Sequence, residues 1–196
     1  MSINSECDEK LISKIAEKDK DAFVEFVQRY QSRILNLCFK LTADRESAEE
    51  AAQEVFLQVY REARQFRGLS KVSTWVYRIA VNRTLNICRK VKRQGWLRNF
   101  RSLLKNGIPG SDEFPAPPQY SPDEILEHKQ EREFLKKALN SLPEYQKIAF
   151  LLRHVEGLSY QEIAEILNTS IASVESRIHR AKNKLRKKLL SRLRNC

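Results

Sequence analysis

A chain of 196 residues with a formal net charge of +11 holds one large domain or two small ones. Hydrophobic residues make up 41%, with only 5 glycines and 6 prolines, which suits helical cores and excludes one large buried sheet. No apolar run approaches the roughly 20 residues of a membrane span, and the opening MSINSECDEK lacks a signal-peptide pattern, so a cytoplasmic protein without membrane insertion is expected.

The placement of charge says more than its sum. From Ala63 to Ser111 there are twelve Lys/Arg and no acid, and from Ser176 to Cys196 nine Lys/Arg and no acid. Solvated helix surfaces usually mix signs, so two long acid-free stretches point to a polyanion contacted at two places. Cys7, Cys38, Cys88 and Cys196 form no CxxC pair and have no His at ligand spacing, so no metal and no cofactor is expected. Cys38 and Cys88 read as core thiols.

In chain order, Asp8 to Ala16 predicts a short amphipathic helix with Leu11, Ile12 and Ile15 on one side. Asp21 is placed as the cap of the next helix, whose Phe23, Phe26, Val27, Tyr30, Ile34, Leu37, Cys38 and Leu41 recur every three or four residues. A turn follows over Thr42 to Ser47, and Ser47 with Glu50 reads as a capping box. The third helix, AEEAAQEVFLQVYREARQF, carries Glu49, Glu50 and Glu54 beside a stripe of Ala48, Ala51, Ala52, Val55, Phe56 and Val59. Acids near the start of a helix favour its dipole, which alone could explain two of them.

Arg67 to Val72 is a basic loop, with Ser73 and Thr74 as candidate caps of the helix WVYRIAVNRTLNICRKVKR. Val76, Ile79, Ala80, Leu85 and Ile87 are its buried side, while Trp75, Arg78, Asn82, Arg83 and Asn86 form an outer strip. Rings that stack, amides that read base edges and guanidinium groups that bind phosphate suit a nucleic-acid strand. Trp75 as a core anchor beside a solvated basic face is the competing reading. After Gly95 the periodicity fades into GIPGSDEFPAPPQYSPDE, a proline-rich linker. Trp96, Leu97, Phe100, Leu103 and Leu104 before it either extend the helix or dock on a partner. Helix restarts at Ser121-Pro122-Asp123-Glu124, runs over Ile125 to Leu142, and is broken at Pro143.

The final stretch, LSYQEIAEILNTSIASVESRIHRAKNKLRKKLL, splits into two helical patterns. The first is opened by a Ser159–Glu162 capping box and carries Ile163, Ala164, Ile166 and Leu167 on one face. Asn168-Thr169-Ser170 makes the turn, Asn tolerating the left-handed conformation. The second repeats Ile171, Val174, Ile178, Ala181 and Leu185 behind a polar, basic face. This is the pattern of a helix-turn-helix, although an ordinary αα-hairpin fits it locally as well.

Together, DAFVEFVQRY, SAEEAAQEVFLQVYR, FRG with STWVYRIAVN, the proline-rich linker, LPEYQKIAFLLRHVEGLSYQEIAEIL and SVESRIHRAKNKL resemble, in order and spacing, the extracytoplasmic-function (ECF) sigma factors of the sigma-70 family. The resemblance implies an all-α chain of two small helical domains joined by a flexible linker: 1–94 as region 2, 95–122 as linker and 123–196 as region 4. It implies binding of bacterial core RNA polymerase at its largest-subunit clamp helices and flap region, of promoter DNA, and of a cognate anti-sigma factor. Core contact would fall to Glu49, Glu50, Gln53, Glu54 and Phe56. The minus-ten element would be met by Leu69, Ser70, Lys71, Ser73, Thr74, Trp75, Arg78, Asn82 and Arg83, with one base extruded at the cost of unstacking. The minus-thirty-five element would be met by Ser173, Glu175, Ser176, Arg177, His179, Arg180, Lys182 and Lys184. Glu175 departs from the basic residue many relatives carry; it either accepts from cytosine N4 or caps its helix.

A dimeric helix-turn-helix regulator explains the last domain but leaves Ala63 to Leu104 without a role. An inactive, anti-sigma-like interaction protein leaves both nucleic-acid surfaces unused. An enzyme is disfavoured, since His128, His154 and His179 have no partnered nucleophile and no phosphate loop is present. A linker of about 28 residues reaches at most about 95 Å stretched and averages about 30 Å when flexible. The two reading surfaces therefore need a scaffold to hold their spacing, and isolated protein is expected to bind promoter DNA poorly.

Overall fold

The structure, a computed structural model, describes residues 7–102 and 133–194. The proline-rich segment 107–124 and the expected helix over 121–132 lie outside the described residues. Among the described residues eight α-helices and one 3-10 turn follow one another: α1 (Asp8–Ala16), α2 (Lys20–Thr42), α3 (Arg45–Glu62), the 3-10 turn Ala63–Gln65, α4 (Val72–Ser102), α5 (133–140), α6 (Glu144–His154), α7 (Tyr160–Leu167) and α8 (Ile171–Leu193). Among the described residues there is no strand.

The first half is a four-helix bundle whose core takes the periodic apolar positions of each helix. Leu11, Ile15, Phe26, Ile34, Leu37, Val55 and Val59 are all fully buried. On α3 the buried face is Ala48, Ala51 and Ala52, small enough for α2 and α4 to approach closely. Asp8 accepts hydrogen bonds from Arg29 and Tyr30, pinning α1 to α2. Cys38 is buried beside Thr84, and burial pushes its thiol up to about 11, which leaves it an inert core residue.

Three expected caps fall elsewhere. The cap of α2 is Asp19, whose carboxylate accepts from the Asp21 and Ala22 amides, so Asp21 sits inside the first turn. The cap of α3 is Asp44, accepting from the Ser47 amide at 2.8 Å, and the Ser47–Glu50 box does not form. Asp44 wins because a carboxylate three residues before an unpaired N–H is a stronger acceptor than a hydroxyl inside the turn. Ser73 and Thr74 likewise lie inside the first turn of α4, whose Trp75 amide bonds the Lys71 carbonyl. Helix α4 also runs past Gly95 to Ser102, beyond the expected start of the linker.

In the second half, α6, α7 and α8 close over Ile148, Leu151, Leu152, Ile163, Val174 and Ile178. Removing one such side chain costs about 2–5 kcal/mol. The Ser159–Glu162 box forms reciprocally, Asn168 is left-handed at φ 46°, and Ser170 caps α8 by accepting from the Ser173 amide. Gly157, at φ 73°, makes the turn into α7, a conformation that favours glycine.

The two halves pack against each other, with α4 lying on α7 and one contiguous apolar cluster running through both. The reason lies in α4 itself. Besides the expected buried side, Tyr77 and Val81 form a second apolar face, 2% and 1% exposed. A helix apolar on two sides must be covered on both.

Candidate nucleic-acid and polymerase interfaces

Helix α3 is half core and half surface, and its surface half is acidic. Glu46, Glu49, Glu50 and Gln53 are exposed, while Phe56 is half-buried against the core. Arg45 pairs with Glu49 at 2.8 Å, and Arg61 and Lys90 stand 3.8 Å and 4.0 Å from Glu54 and Glu50. Such solvated pairs contribute little and are easily exchanged for a partner's charges. Leu57 stands on the same face, 50% exposed, in register with Glu46, Glu50 and Gln53. An exposed leucine among acids is a feature that charge patterning alone does not reveal.

The loop before α4 turns at Gly68, whose φ of 69° is a left-handed conformation, and presents Leu69 at 88% exposure. Ser70 and Ser73 are half-buried, and Thr74 is 1% exposed with its hydroxyl unpartnered among the described residues. Trp75 is half-buried, its ring 5.2 Å from that of Phe66. The expected outer strip divides in two. Arg83 turns back to donate to Gln58 Oε1 at 2.6 Å, whereas Arg78, Asn82 and Asn86 continue with Arg89 along one edge of α4. That edge faces Tyr145, Leu167 and Asn168 across a cleft of about 350 Å³. The Arg78 Nε is buried without a hydrogen-bond partner among the described residues.

Helix α8 turns Val174, Ile178 and Ala181 inward and leaves Glu175, His179, Asn183 and Arg186 in one exposed row, with Ser176 half-buried at its edge. His179 is hydrogen-bonded to Asn183 at 2.8 Å. Arg180 and Lys182 are exposed beside that row. Ser173 supplies the amide of the cap, Arg177 lies over the Tyr145 ring at 5.1 Å, and Lys184 donates to the Ser141 carbonyl at 2.6 Å. Glu175 lies past the first turn, which holds no acid and is capped by Ser170. Its carboxylate therefore belongs to the exposed row and has no capping role. Asn183 and Arg186 extend the row; their spacing of four and seven from His179 marks them in the sequence.

Polar contacts cross the interdomain seam, among them Arg89 with Glu144 at 3.9 Å. Lys71 Nζ donates to Glu162 Oε1 at 2.9 Å, the Tyr77 hydroxyl donates to the Glu156 carboxylate, and Lys147 Nζ donates to the Leu41 carbonyl at 3.1 Å. The Lys71 ammonium, followed by the Ser159 amide, holds the Glu162 carboxyl down to about 2. Burial, with the neighbouring Glu156, pushes the Tyr77 hydroxyl up. Lys147 is 7% exposed and also donates to Asn140 Oδ1 at 2.7 Å; an ammonium at the end of α2 satisfies a carbonyl the helix leaves open.

Two family models match this chain: "Sigma-70 region 2" over residues 26–94 and "Sigma-70, region 4" over residues 133–185. The chain is 32% identical to the "ECF RNA polymerase sigma factor SigW" of Bacillus subtilis (strain 168), over 92% of this chain and 95% of that one. It is 33% identical to the "ECF RNA polymerase sigma-E factor" of Haemophilus influenzae, covering 93% and 95% of the two chains. In fold it is similar to CnrH, solved in complex with the cytosolic domain of CnrY, with a TM-score of 0.69 at 19% identity over 95% of this chain and 99% of that one. It is similar also to the Bartonella quintana sigma factor RpoE, solved with the anti-sigma factor NepR, with a TM-score of 0.62 at 24% identity over 87% and 98%. With two helical modules, an acidic face and two basic faces in the family's order, the chain belongs to the sigma-70 family, as an extracytoplasmic-function sigma factor that directs promoter-specific initiation by bacterial RNA polymerase.

Proposed function

We propose that this sigma activity is divided between the two helical modules, each carrying one reading surface, with the acidic face of α3 docking the chain on core polymerase. The observation that carries the proposal is the alternation of surfaces: acid on α3, then base on the loop and α4, then base again on α8. Glu49, Glu50, Gln53 and Glu54, with Leu57 as apolar anchor, offer a surface complementary to a basic helix pair on the largest subunit. Leu69, Ser70 and Lys71 form the rim over which a minus-ten base would be extruded, with Trp75, Arg78 and Asn82 along the strand. Glu175, Ser176, His179 and Arg180 face a major groove at the minus-thirty-five element, and Lys182 reaches flanking phosphate.

The division places region 2 at 1–94 and region 4 at 123–196. The comparison proteins CnrH and RpoE were solved with CnrY and NepR, and we read this chain as having an anti-sigma partner of its own. Sigma factors are non-catalytic initiation factors. We read this chain as no enzyme: His154 packs against Phe150, and His179 is hydrogen-bonded to Asn183. No helix among the described residues is long and apolar enough to cross a membrane, and a cytoplasmic location suits a polymerase partner.

The test is competition for core polymerase. Glu50→Lys with Gln53→Lys should lower core affinity at least tenfold while leaving helix content unchanged. Unchanged affinity would remove α3 from the docking surface.

A further inference from the structure

We propose that Asn183 is a positioning residue that decides which bases His179 accepts: by donating to Nε2 of the His179 ring, it leaves Nδ1–H as the group free for the major groove. The inference rests on the reading of α8 as the minus-thirty-five reader given above, and deepens it. Both side chains are exposed on the same row of α8, at the i, i+4 spacing that makes them neighbours on one helix face. The Asn183 Nδ2 lies 2.8 Å from the His179 Nε2. An amide NH2 only donates, so the ring nitrogen it meets is the one without a proton. In a neutral imidazole the other nitrogen then carries the proton, because the bond made at one fixes the tautomer at the other. Among the described residues the ring makes no second hydrogen bond, so Nδ1–H is left for a ligand.

A ring fixed as a donor discriminates between bases. Guanine offers it N7 and O6, adenine N7 and thymine O4, whereas the polar group of cytosine in the major groove is its N4 amine, itself a donor. Cytosine is therefore refused. Glu175, one turn earlier on the same exposed row, has the opposite demand, since a carboxylate only accepts. The row thus presents an acceptor and then a donor. A histidine without Asn183 would hold no such pattern, because either tautomer could meet the base. At an exposed position the His179–Asn183 bond competes with water and contributes little. Its weight grows in the groove, where a polar group left unpaired is no longer compensated by solvent.

Asn183→Leu keeps the approximate size and removes the amide, whereas Asn183→Gln keeps an amide donor. Asn183→Asp replaces the donor by an acceptor, which demands Nε2–H and turns Nδ1 into the acceptor. Holoenzyme, assembled from core polymerase and the full chain, selects from duplexes randomised over the upstream element at pH about 8, where imidazole is uncharged. His179→Ala locates the base position that His179 reads. There the parent should exclude cytosine, and Asn183→Leu should relax that exclusion about fivefold or more. Asn183→Gln should retain it, and Asn183→Asp should turn the preference toward cytosine or adenine, the bases that donate. Ring-nitrogen NMR of the full chain gives a readout that helix packing alone does not move. The proton should sit on Nδ1 of His179 in the parent and on Nε2 in Asn183→Asp. A parent ring protonated at Nε2, or cytosine excluded equally by the parent, Leu and Asp chains, would overturn the proposal. If His179→Ala and Glu175→Arg still change the upstream preference, this inference fails alone. If they too leave it unchanged, the reading of α8 fails with it.

Discussion

Glu162 holds two positions at once, and the two can be separated by substitution. Its carboxylate reaches back to the Ser159 amide and hydroxyl, both at 2.8 Å, while Ser159 Oγ accepts from the Glu162 amide at 3.2 Å. The other carboxylate oxygen meets Lys71 across the domain seam at 2.9 Å. Ser159→Ala deletes the hydroxyl half of the capping box and should cost about 1 kcal/mol, or about 2–4 °C in a chain of this size. Glu162→Gln keeps the reach to the Ser159 amide, since glutamine also completes a capping box. It removes the charge that faces Lys71, whose solvation screens the pair, so the loss in global stability should stay well below the roughly 3.4 kcal/mol that a fall from 4.5 to about 2 would carry unscreened, and below the loss from Ser159→Ala. The sign with pH follows from a folded carboxyl held at about 2, below its ordinary 4.5. The carboxylate's contribution is fully present above pH 4.5 and is lost as pH falls through 2. The stability difference between parent and Glu162→Gln should therefore be flat from neutral pH to 4.5 and shrink below it. Urea titrations followed by circular dichroism at several pH values measure this. A Gln variant as unstable as Ser159→Ala at neutral pH would show that the charge, and not the reach, holds the start of α7.

Three further outcomes follow from the same geometry. Glu175→Arg should change which upstream sequence is preferred, by about 1–3 kcal/mol at one base pair. Selection of bound duplexes from a random pool reads this, and altered affinity with preference intact would take Glu175 off the reading row. Ala43→Gly should stabilise the chain by about 0.5–1 kcal/mol, because Ala43 ends α2 at φ 61°, a left-handed conformation; a lower melting temperature would contradict it. His154 is held below its ordinary 6.5 by desolvation and then by Lys182 and Arg153, so its protonation opposes folding. Stability should fall as pH drops below 6.5, and His154→Gln should flatten that part of the profile; an unaltered slope assigns it to other groups.

What was legible in the sequence was local. The box at Ser159 and Glu162, the left-handed Asn168 and the span Asp8–Ala16 each depend on residues within four positions, and each forms as read. Caps were harder where two acceptors compete within a turn: Asp19 displaced Asp21, and Asp44 displaced Ser47, because only the acceptor just outside the helix reaches the open amides. The division of the α4 strip was not legible, since Arg83 leaves it for Gln58 on α3, a partner 25 residues away. The packing of the two halves was legible only in hindsight, from Tyr77 and Val81. Those residues look like ordinary variation until a second apolar face is counted on α4. Family motifs carry the identity of the surfaces, and long-range packing decides which of them are open.

The central claim is that one chain reads two separated promoter elements once polymerase holds its two domains. Run-off transcription with core polymerase on genomic fragments, with start sites mapped, tests it most directly. The account predicts initiation only when this chain is added, at start sites that share two upstream elements at a fixed spacing. Initiation without such a shared pair, or specific and tight promoter binding by the chain alone, would contradict it.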